Sequence, residues 1–353
     1  MSRFLAQKYS ALKPYTPGEQ PRDMQYVKLN TNESPFEPSP KVIEAVNAQV
    51  SSQNLYPDPT KKALCEAIAE NRGVKSENVT VSNGSDELLA FTFMALCPHG
   101  ICFPDISYGF YPVYAQTMGV DALQIPLHED FSIKAEDYFN ANRTVLIANP
   151  NAPTGMALCR DDIEKIVLHN QNELVVIDEA YVDFGAESAV CLTKKYDNLL
   201  VIGTYSKSRS LAGARIGYAV GNEEIIADLN RMIYSFNPYN VNRLALAAGT
   251  AATKDAEYFE KCTVKICAAR AWTKEQLEKM GFTVLPSYAN FVFAKKDGIS
   301  GETMYLKLKE KGVLVRYFSG ERVSDYVRIT IGTQEQMQVL VEKIAEIITE
   351  ELL

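Results

Sequence analysis

The segment LLVIGTYSKSRSLAGARIGYAVG, residues 199–221, opens on an apolar β-branched run and passes into a polar loop containing Lys207. Such a run predicts a buried strand. Lys207 then falls just past a strand's carboxyl end, where open α/β sheets bind ligands. Thr204 and Ser206 place hydroxyls beside it, and Arg215 follows across a Gly-containing turn.

Outward from this segment the same rhythm repeats. VTVS (79–82), ICFP (101–104), ALQIPL (122–127), TVLIAN (144–149) and LVVIDEA (174–180) are expected strands. KVIEAVNAQV (41–50), DELLAFTFMAL (86–96) and RDDIEKIVLHN (160–170) are expected helices. Alternation of this kind predicts an α/β fold, a mainly parallel sheet covered by helices on both faces. After residue 250 the pattern changes. A long helical stretch, 253–280, leads into FTVLP and NFVFAKK, a helix near 301–311, the strands VLVRYF and YVRITIG, and a closing helix from about 334. That order predicts a smaller α+β domain. Turn residues in NPYNVN (237–242) mark the boundary. The expected division is an irregular arm over 1–29, a large domain over 30–245 and a small domain over 246–353.

Length and composition agree with this plan. A chain of 353 residues is long for one core, and its 46% hydrophobic and 23% charged content is ordinary for a globular protein. The net charge of −8 gives no basic footprint for nucleic acid. No apolar run has the length of a bilayer span, and MSRFLAQKYS lacks the apolar core of a signal peptide, so a cytoplasmic location is expected. The seven cysteines include no CxxC pair and there are three histidines, so neither a disulfide framework nor a Cys/His metal site is expected. The cysteines read as reduced, mostly buried apolar residues.

Four segments carry chemistry. A lysine that forms an imine must be reachable as a neutral amine, and the hydroxyls and guanidinium around Lys207 suit a phosphate. Alone, the SK pair equally describes a surface lysine on a polar loop. LVVIDEAYVDF (174–184) ends a buried strand in Asp178, with Tyr181 following. An acid there is costly to desolvate unless a cation meets it, and a protonated pyridine nitrogen is such a cation. Tyr181 is placed to hydrogen-bond a phenolic oxygen on the same ring. The alternative is an Asp that caps the next helix. In SNGSDELLAF (82–91) a tight turn enters a helix, so the amides of Ser85 and Asp86 form an anion site, as at many helix starts. FPDISYGFY (103–111) brings Tyr108 to the end of another strand, either to stack on a flat cofactor or to fill the core.

With these segments in order, the chain resembles the fold-type-I aminotransferases, and within them the histidinol-phosphate aminotransferases. The resemblance is carried by KLNTNESPF (28–36), LYPDP (55–59), SNGSDE (82–87), PNAPTG (150–155), VIDEAY (176–181), TYSKSRSLAGARIGY (204–218), NPYNVN (237–242), ANFVF (289–293) and YVRITIGT (326–333), which cover nearly the whole chain. It implies a pyridoxal 5'-phosphate enzyme that exchanges an amino group between L-histidinol phosphate and 2-oxoglutarate by a ping-pong mechanism, in histidine biosynthesis. Lys207 would be the Schiff-base lysine, Asp178 the partner of the pyridinium, and Tyr181 that of the phenolic oxygen. Tyr108 would stack on the ring, while Thr204, Ser206, Arg215 and the amides at Ser85 and Asp86 would hold the phosphate. Tyr56 would reach that phosphate in a neighbouring copy, which implies a homodimer. Arg328 would grip a substrate α-carboxylate. Arg316, with Arg322 nearby as a competitor, would meet the substrate phosphate together with Tyr15 from the arm. Asn32 would line the substrate site.

The sequence departs from the family at one place. Where the family has a second Asn before Pro-Thr-Gly there is Ala152, so the phenolic oxygen falls to Asn151, or to Tyr181 and a water. Three other activities share parts of this pattern: a phosphothreonine decarboxylase-like lyase, an aromatic-amino-acid aminotransferase, and a non-catalytic binding protein of the same fold. The arm is too short for a helix-turn-helix, which counts against a DNA-binding regulator.

Overall fold

The computed structural model describes residues 2–351. Its centre is a seven-stranded sheet in the spatial order Val79–Asn83, Ile216–Gly221, Leu199–Thr204, Val175–Asp178, Thr144–Ala148, Ile101–Pro104, Ala122–Ile125. The last five run parallel, and Ile216–Gly221 runs antiparallel to both its neighbours. The α/β expectation holds, with one strand more than the sequence pattern gave. Ile216–Gly221 is buried along its whole length. In the sequence its residues continue the polar loop, because Arg215 precedes them. Arg215 has φ 54°, a left-handed turn that folds the chain back into the sheet.

The two sheet faces follow the two-residue period of a strand. Val145, Ile147, Val175, Ile177 and Val201 enter one core. Leu146, Ala148, Val176, Leu200 and Ile202 enter the other, under the helix Ser85–Ala95. Because the strands are buried on both faces, their carboxyl ends are the places where polar side chains reach a cavity.

A second sheet, in the order Arg316–Tyr317, Tyr326–Thr330, Phe291–Lys296, Phe282–Val284, is antiparallel and packs with the helices Ala256–Lys279, Gly301–Glu310 and Gln334–Glu351. Two helices, Arg243–Lys254 and Ala256–Lys279, lie at the junction, and the expected helix over 253–280 is the second. A boundary at 245 would cut the first, whose Ala245, Ala248 and Ala252 belong to the core of the large sheet. VLVRYF likewise divides. Val313–Leu314 pairs in parallel with Val27–Lys28, while Arg316–Tyr317 joins the second sheet. The end of the arm is thereby stitched to the smaller unit, and Leu29 enters its core. No helix among the described residues is long and apolar enough to cross a membrane.

Candidate active site

A cavity of about 340 Å³ opens at the carboxyl ends of the central strands, and Lys207, Asp178, Tyr181, Tyr108, Arg215 and Ser206 all line it. Lys207 Nζ donates to the carbonyl of Thr31 at 3.3 Å and lies 5.8 Å from the centre of the Tyr181 ring. Asp178 is the last residue of its strand and only 4% exposed. Its Oδ2 accepts from the Tyr111 hydroxyl at 2.8 Å and its Oδ1 from the Ala180 amide at 3.2 Å. Both donors are neutral, and burial pushes the carboxyl pKa up to about 6. This is a buried acid held in readiness for a cation.

The opposite end of the cavity is built for an anion. The helix Ser85–Ala95 starts after Gly84 with no side-chain cap, so Ser85 and Asp86 turn first-turn amides toward the space. Thr204 Oγ1 and Ser206 Oγ lie 3.1 Å apart, and Arg215 Nη1 donates to Ser206 Oγ at 3.2 Å. Gly84 has φ +78°, and a Cβ there would run into the Arg215 guanidinium. A Cβ at Gly217 would strike the amide of Ser85. Both glycines therefore let strand, helix start and arginine close around one small volume. The Asp86 carboxylate ties the cup together, accepting from Tyr108 Oη at 2.8 Å and from Arg215 Nη2 at 3.0 Å.

A second cavity, of about 750 Å³, lies under the arm and shares Thr31, Tyr108, Ala152, Tyr181 and Lys207 with the first. On its wall Arg316 stands directly opposite Arg328 in an antiparallel pair. Arg328 Nη2 donates to the Asn30 carbonyl at 2.9 Å, and its buried Nε has no partner. The guanidinium carbon lies 5.3 Å from the Phe291 ring centre and 5.6 Å from that of Phe318. Burial lowers its pKa from the usual arginine value. Arg316 donates only to the carbonyls of Thr16, at 3.0 Å, and Pro17, at 3.3 Å. Like charges placed cross-strand repel, so this wall is short of an anion. Tyr15 roofs the space, its ring stacked on Phe110 at 4.3 Å. Asn32 is buried with φ 56°. Its Nδ2 donates to Tyr181 Oη at 3.0 Å, and its Oδ1 accepts from Thr330 Oγ1 at 2.9 Å.

One expected cofactor residue lies elsewhere, and another, expected to serve a neighbouring copy, stands on the surface. Asn151 does not line the first cavity: its Oδ1 accepts from Ser107 Oγ, and its Nδ2 donates to the Ile106 carbonyl and to Thr154 Oγ1. With every polar atom spent on the loop, it has nothing to offer a cofactor oxygen, and Ala152 faces the cavity in its place. Tyr56 lines neither cavity of its own chain; it is 76% exposed and stacks on Tyr239 at 4.4 Å. Arg322 is no rival to Arg316. It is drawn away to Asp105 Oδ2 at 3.4 Å and to the carbonyls of Leu127 and His128. No sequence pattern marks Tyr111 or Thr31. Tyr111 sits in the aromatic run beside Tyr108 and meets Asp178 only through the fold. Thr31 acts through its carbonyl, which no side-chain pattern announces.

A lysine at the carboxyl edge of a parallel sheet, between a buried acid and an anion cup, defines a cofactor-dependent enzyme of the α/β class. The sequence profile described as "Aminotransferase class I and II" matches residues 24–344, and the chain belongs to that family. It is 50% identical over 352 residues to histidinol-phosphate aminotransferase of Brachyspira hyodysenteriae (strain ATCC 49526 / WA1), covering 99% of each chain. It is 47% identical over 351 residues to that of Clostridium botulinum (strain Langeland / NCTC 10281 / Type F), again covering 99% of each. Its fold is that of the solved histidinol-phosphate aminotransferase from Clostridium acetobutylicum (TM-score 0.83, 25% identity, 90% of this chain and 97% of that one). The Sinorhizobium meliloti structure, in complex with pyridoxal-5'-phosphate, gives TM-score 0.84 at 23% identity, covering 92% of each.

Proposed function

We propose that the chain transfers an amino group between L-histidinol phosphate and 2-oxoglutarate with pyridoxal 5'-phosphate as cofactor. One observation carries the reading: the anion cup and the arginine pair lie on two cavities that meet at Lys207. The first cavity fits the cofactor. Its cup offers hydroxyls, a guanidinium and helix-start amides to a phosphate, and Asp178 offers a buried carboxylate to a protonated ring nitrogen. Tyr181 takes the phenolic oxygen without help from Asn151, and Tyr108 supplies a stacking face. When bound, the cofactor supplies an electron sink for the charge left on the substrate's α-carbon.

The chain's own residues do the rest. Lys207 is the residue that would hold the cofactor, through its Nζ. When free, the same Nζ would take the substrate's α-proton and give it back, as general base and acid in turn. Asp178 holds the countercharge throughout. L-histidinol phosphate has no α-carboxylate; a CH2–O–phosphate group takes the carboxylate's place on the α-carbon. Arg316 and Arg328, side by side, therefore cradle the phosphate together. In the second half-reaction Arg328 takes the α-carboxylate of glutamate and Arg316 its distal carboxylate. Tyr15 and the arm cover the cavity from water. Tyr56 is assigned to the cofactor phosphate of a second copy in a homodimer, and a cytoplasmic location fits a biosynthetic enzyme whose seven cysteines are all unpaired.

A half-reaction tests this. The cofactor-loaded protein is mixed with histidinol phosphate and no keto acid, and the cofactor spectrum is followed through one turnover. Full conversion to the aminated cofactor is expected. Conversion by aromatic amino acids but not by histidinol phosphate would overturn the substrate, and CO2 release from phosphothreonine would make the enzyme a lyase.

A further inference from the structure

Asp178 lies at the centre of the proposed chemistry, and one side chain outside the family motifs holds it. Tyr111 opens the helix Tyr111–Met118 and is completely buried. Its ring packs edge-on against Tyr108 (5.6 Å, 86°) and against Phe103 (5.6 Å, 62°), which leaves its hydroxyl one direction to point. That direction ends on Asp178 Oδ2, 2.8 Å away.

We propose that Tyr111 is a positioning residue of the transamination site: its hydroxyl orients the Asp178 carboxylate and holds it ionised against burial, so that an anion meets the cofactor's ring nitrogen. The inference rests on the reading that Asp178 faces that nitrogen.

The surroundings of Asp178 leave this task to Tyr111. Four elements bring titratable groups toward the carboxylate: Tyr111 and, farther off, Tyr114 from one helix, Asp86 from the start of Ser85–Ala95, Lys207 from the loop after Leu199–Thr204, and Tyr181 from the turn that follows Asp178 itself. Asp86 opposes ionisation by like charge. Lys207 favours it only at a distance, since its Nζ hydrogen-bonds Thr31. Tyr181 Oη accepts from Asn32 Nδ2 and makes no hydrogen bond to Asp178. Among the described residues only Tyr111 donates a side-chain hydrogen bond to the carboxylate, and a hydrogen bond to the charged form stabilises that form. The same ring buttresses Tyr108, so one residue sets both the stacking face and the anion.

Tyr111→Phe removes the hydroxyl and keeps the ring. In the cofactor-free protein, carboxyl-carbon NMR follows the Asp178 resonance, assigned by its loss in Asp178→Asn. The titration midpoint is expected to rise by on the order of one pH unit. Pyridoxal phosphate affinity is expected to fall about tenfold, the worth of one hydrogen bond to a charged group, and to fall further as pH decreases. In an Asp178→Asn background the same change should cost no further affinity, because there is no charge left to hold. An unmoved midpoint in a folded Tyr111→Phe protein, or an equal loss of affinity in both backgrounds, overturns the proposal. Should Tyr111→Phe not fold, 3-fluorotyrosine at position 111, a stronger donor, must move the midpoint downward. No movement there overturns the proposal as well. If the unaltered protein does not bind pyridoxal phosphate, the functional reading fails, while the NMR arm still decides whether Tyr111 governs Asp178.

Discussion

The cavity at the sheet's carboxyl edge and the cavity beneath the arm meet at Lys207, yet they hold their charges differently. In the first, each charge in the phosphate cup already has a partner. Asp86 bridges Arg215 and Tyr108, while outside the cup Asp178 is oriented by two neutral donors, Tyr111 and the Ala180 amide. In the second, two arginines face each other across a strand pair and donate only to backbone carbonyls, with one buried Nε left over. The first arrangement is pre-organised for one molecule that stays. The second is incomplete until an anion arrives, and it suits two different anions that take turns. Electrostatic pre-organisation on one side and an unmet charge on the other divide retention from exchange.

Four changes would sharpen or break this division. The largest effect belongs to Lys207→Ala, where the cavities join. Turnover should fall by at least on the order of 10⁴-fold, and borohydride should no longer fix the cofactor to the chain. A labelled peptide elsewhere, or surviving turnover, would remove Lys207 from the centre of the scheme. Next comes Arg328→Ala, which should lower kcat/KM for both substrates by on the order of a hundredfold or more while leaving cofactor affinity intact. Loss of the cofactor instead would mean that the two cavities are one. Arg316→Ala should weaken histidinol phosphate about tenfold more than an aromatic amino acid, the worth of a charged hydrogen-bonded contact. Equal weakening of both would deny Arg316 the phosphate.

The smallest effect is on stability alone. Asp178 has its pKa raised by burial from the ordinary 3.8 to about 6. A raised carboxyl pKa contributes stability that is fully present below 3.8 and is lost as pH rises through about 6. Asp178→Asn should therefore stabilise the cofactor-free protein at pH 8 by up to about 3 kcal/mol relative to pH 3.5, even as it disables the enzyme. Denaturant unfolding at the two pH values measures the difference. No gain at pH 8 would mean that the carboxylate is already compensated, and that the first cavity awaits no cation.

Much of this was legible in the chain. Lys207, Arg215, Ser206 and Thr204 come from one continuous loop, and Asp178 and Tyr181 from one strand end, so their spacing along the sequence is nearly their spacing in the site. The strand Ile216–Gly221 was hidden because Arg215 and Gly217, needed for the cup and for close packing, interrupt the apolar pattern that marks a strand. Asn151 misled because a strand-end loop can aim an amide either way, and here Ser107, Ile106 and Thr154 claim it. The expected boundary at 245 falls inside the helix Arg243–Lys254, because turn residues at 237–242 mark a change of direction and not which sheet the next helix packs against; Ala245, Ala248 and Ala252 join the core of the larger sheet.

By itself, the sequence determined the alternating α/β plan, the lysine, its acid and its anion cup, because these depend on local periodicity and on groups a few residues apart. Tertiary structure alone decided that Arg316 opposes Arg328, that Tyr111 reaches Asp178, and that the arm closes over both arginines. Each of those contacts joins residues far apart in the chain or fixed by strand register, and no local pattern encodes which way a buried side chain must turn to find its partner.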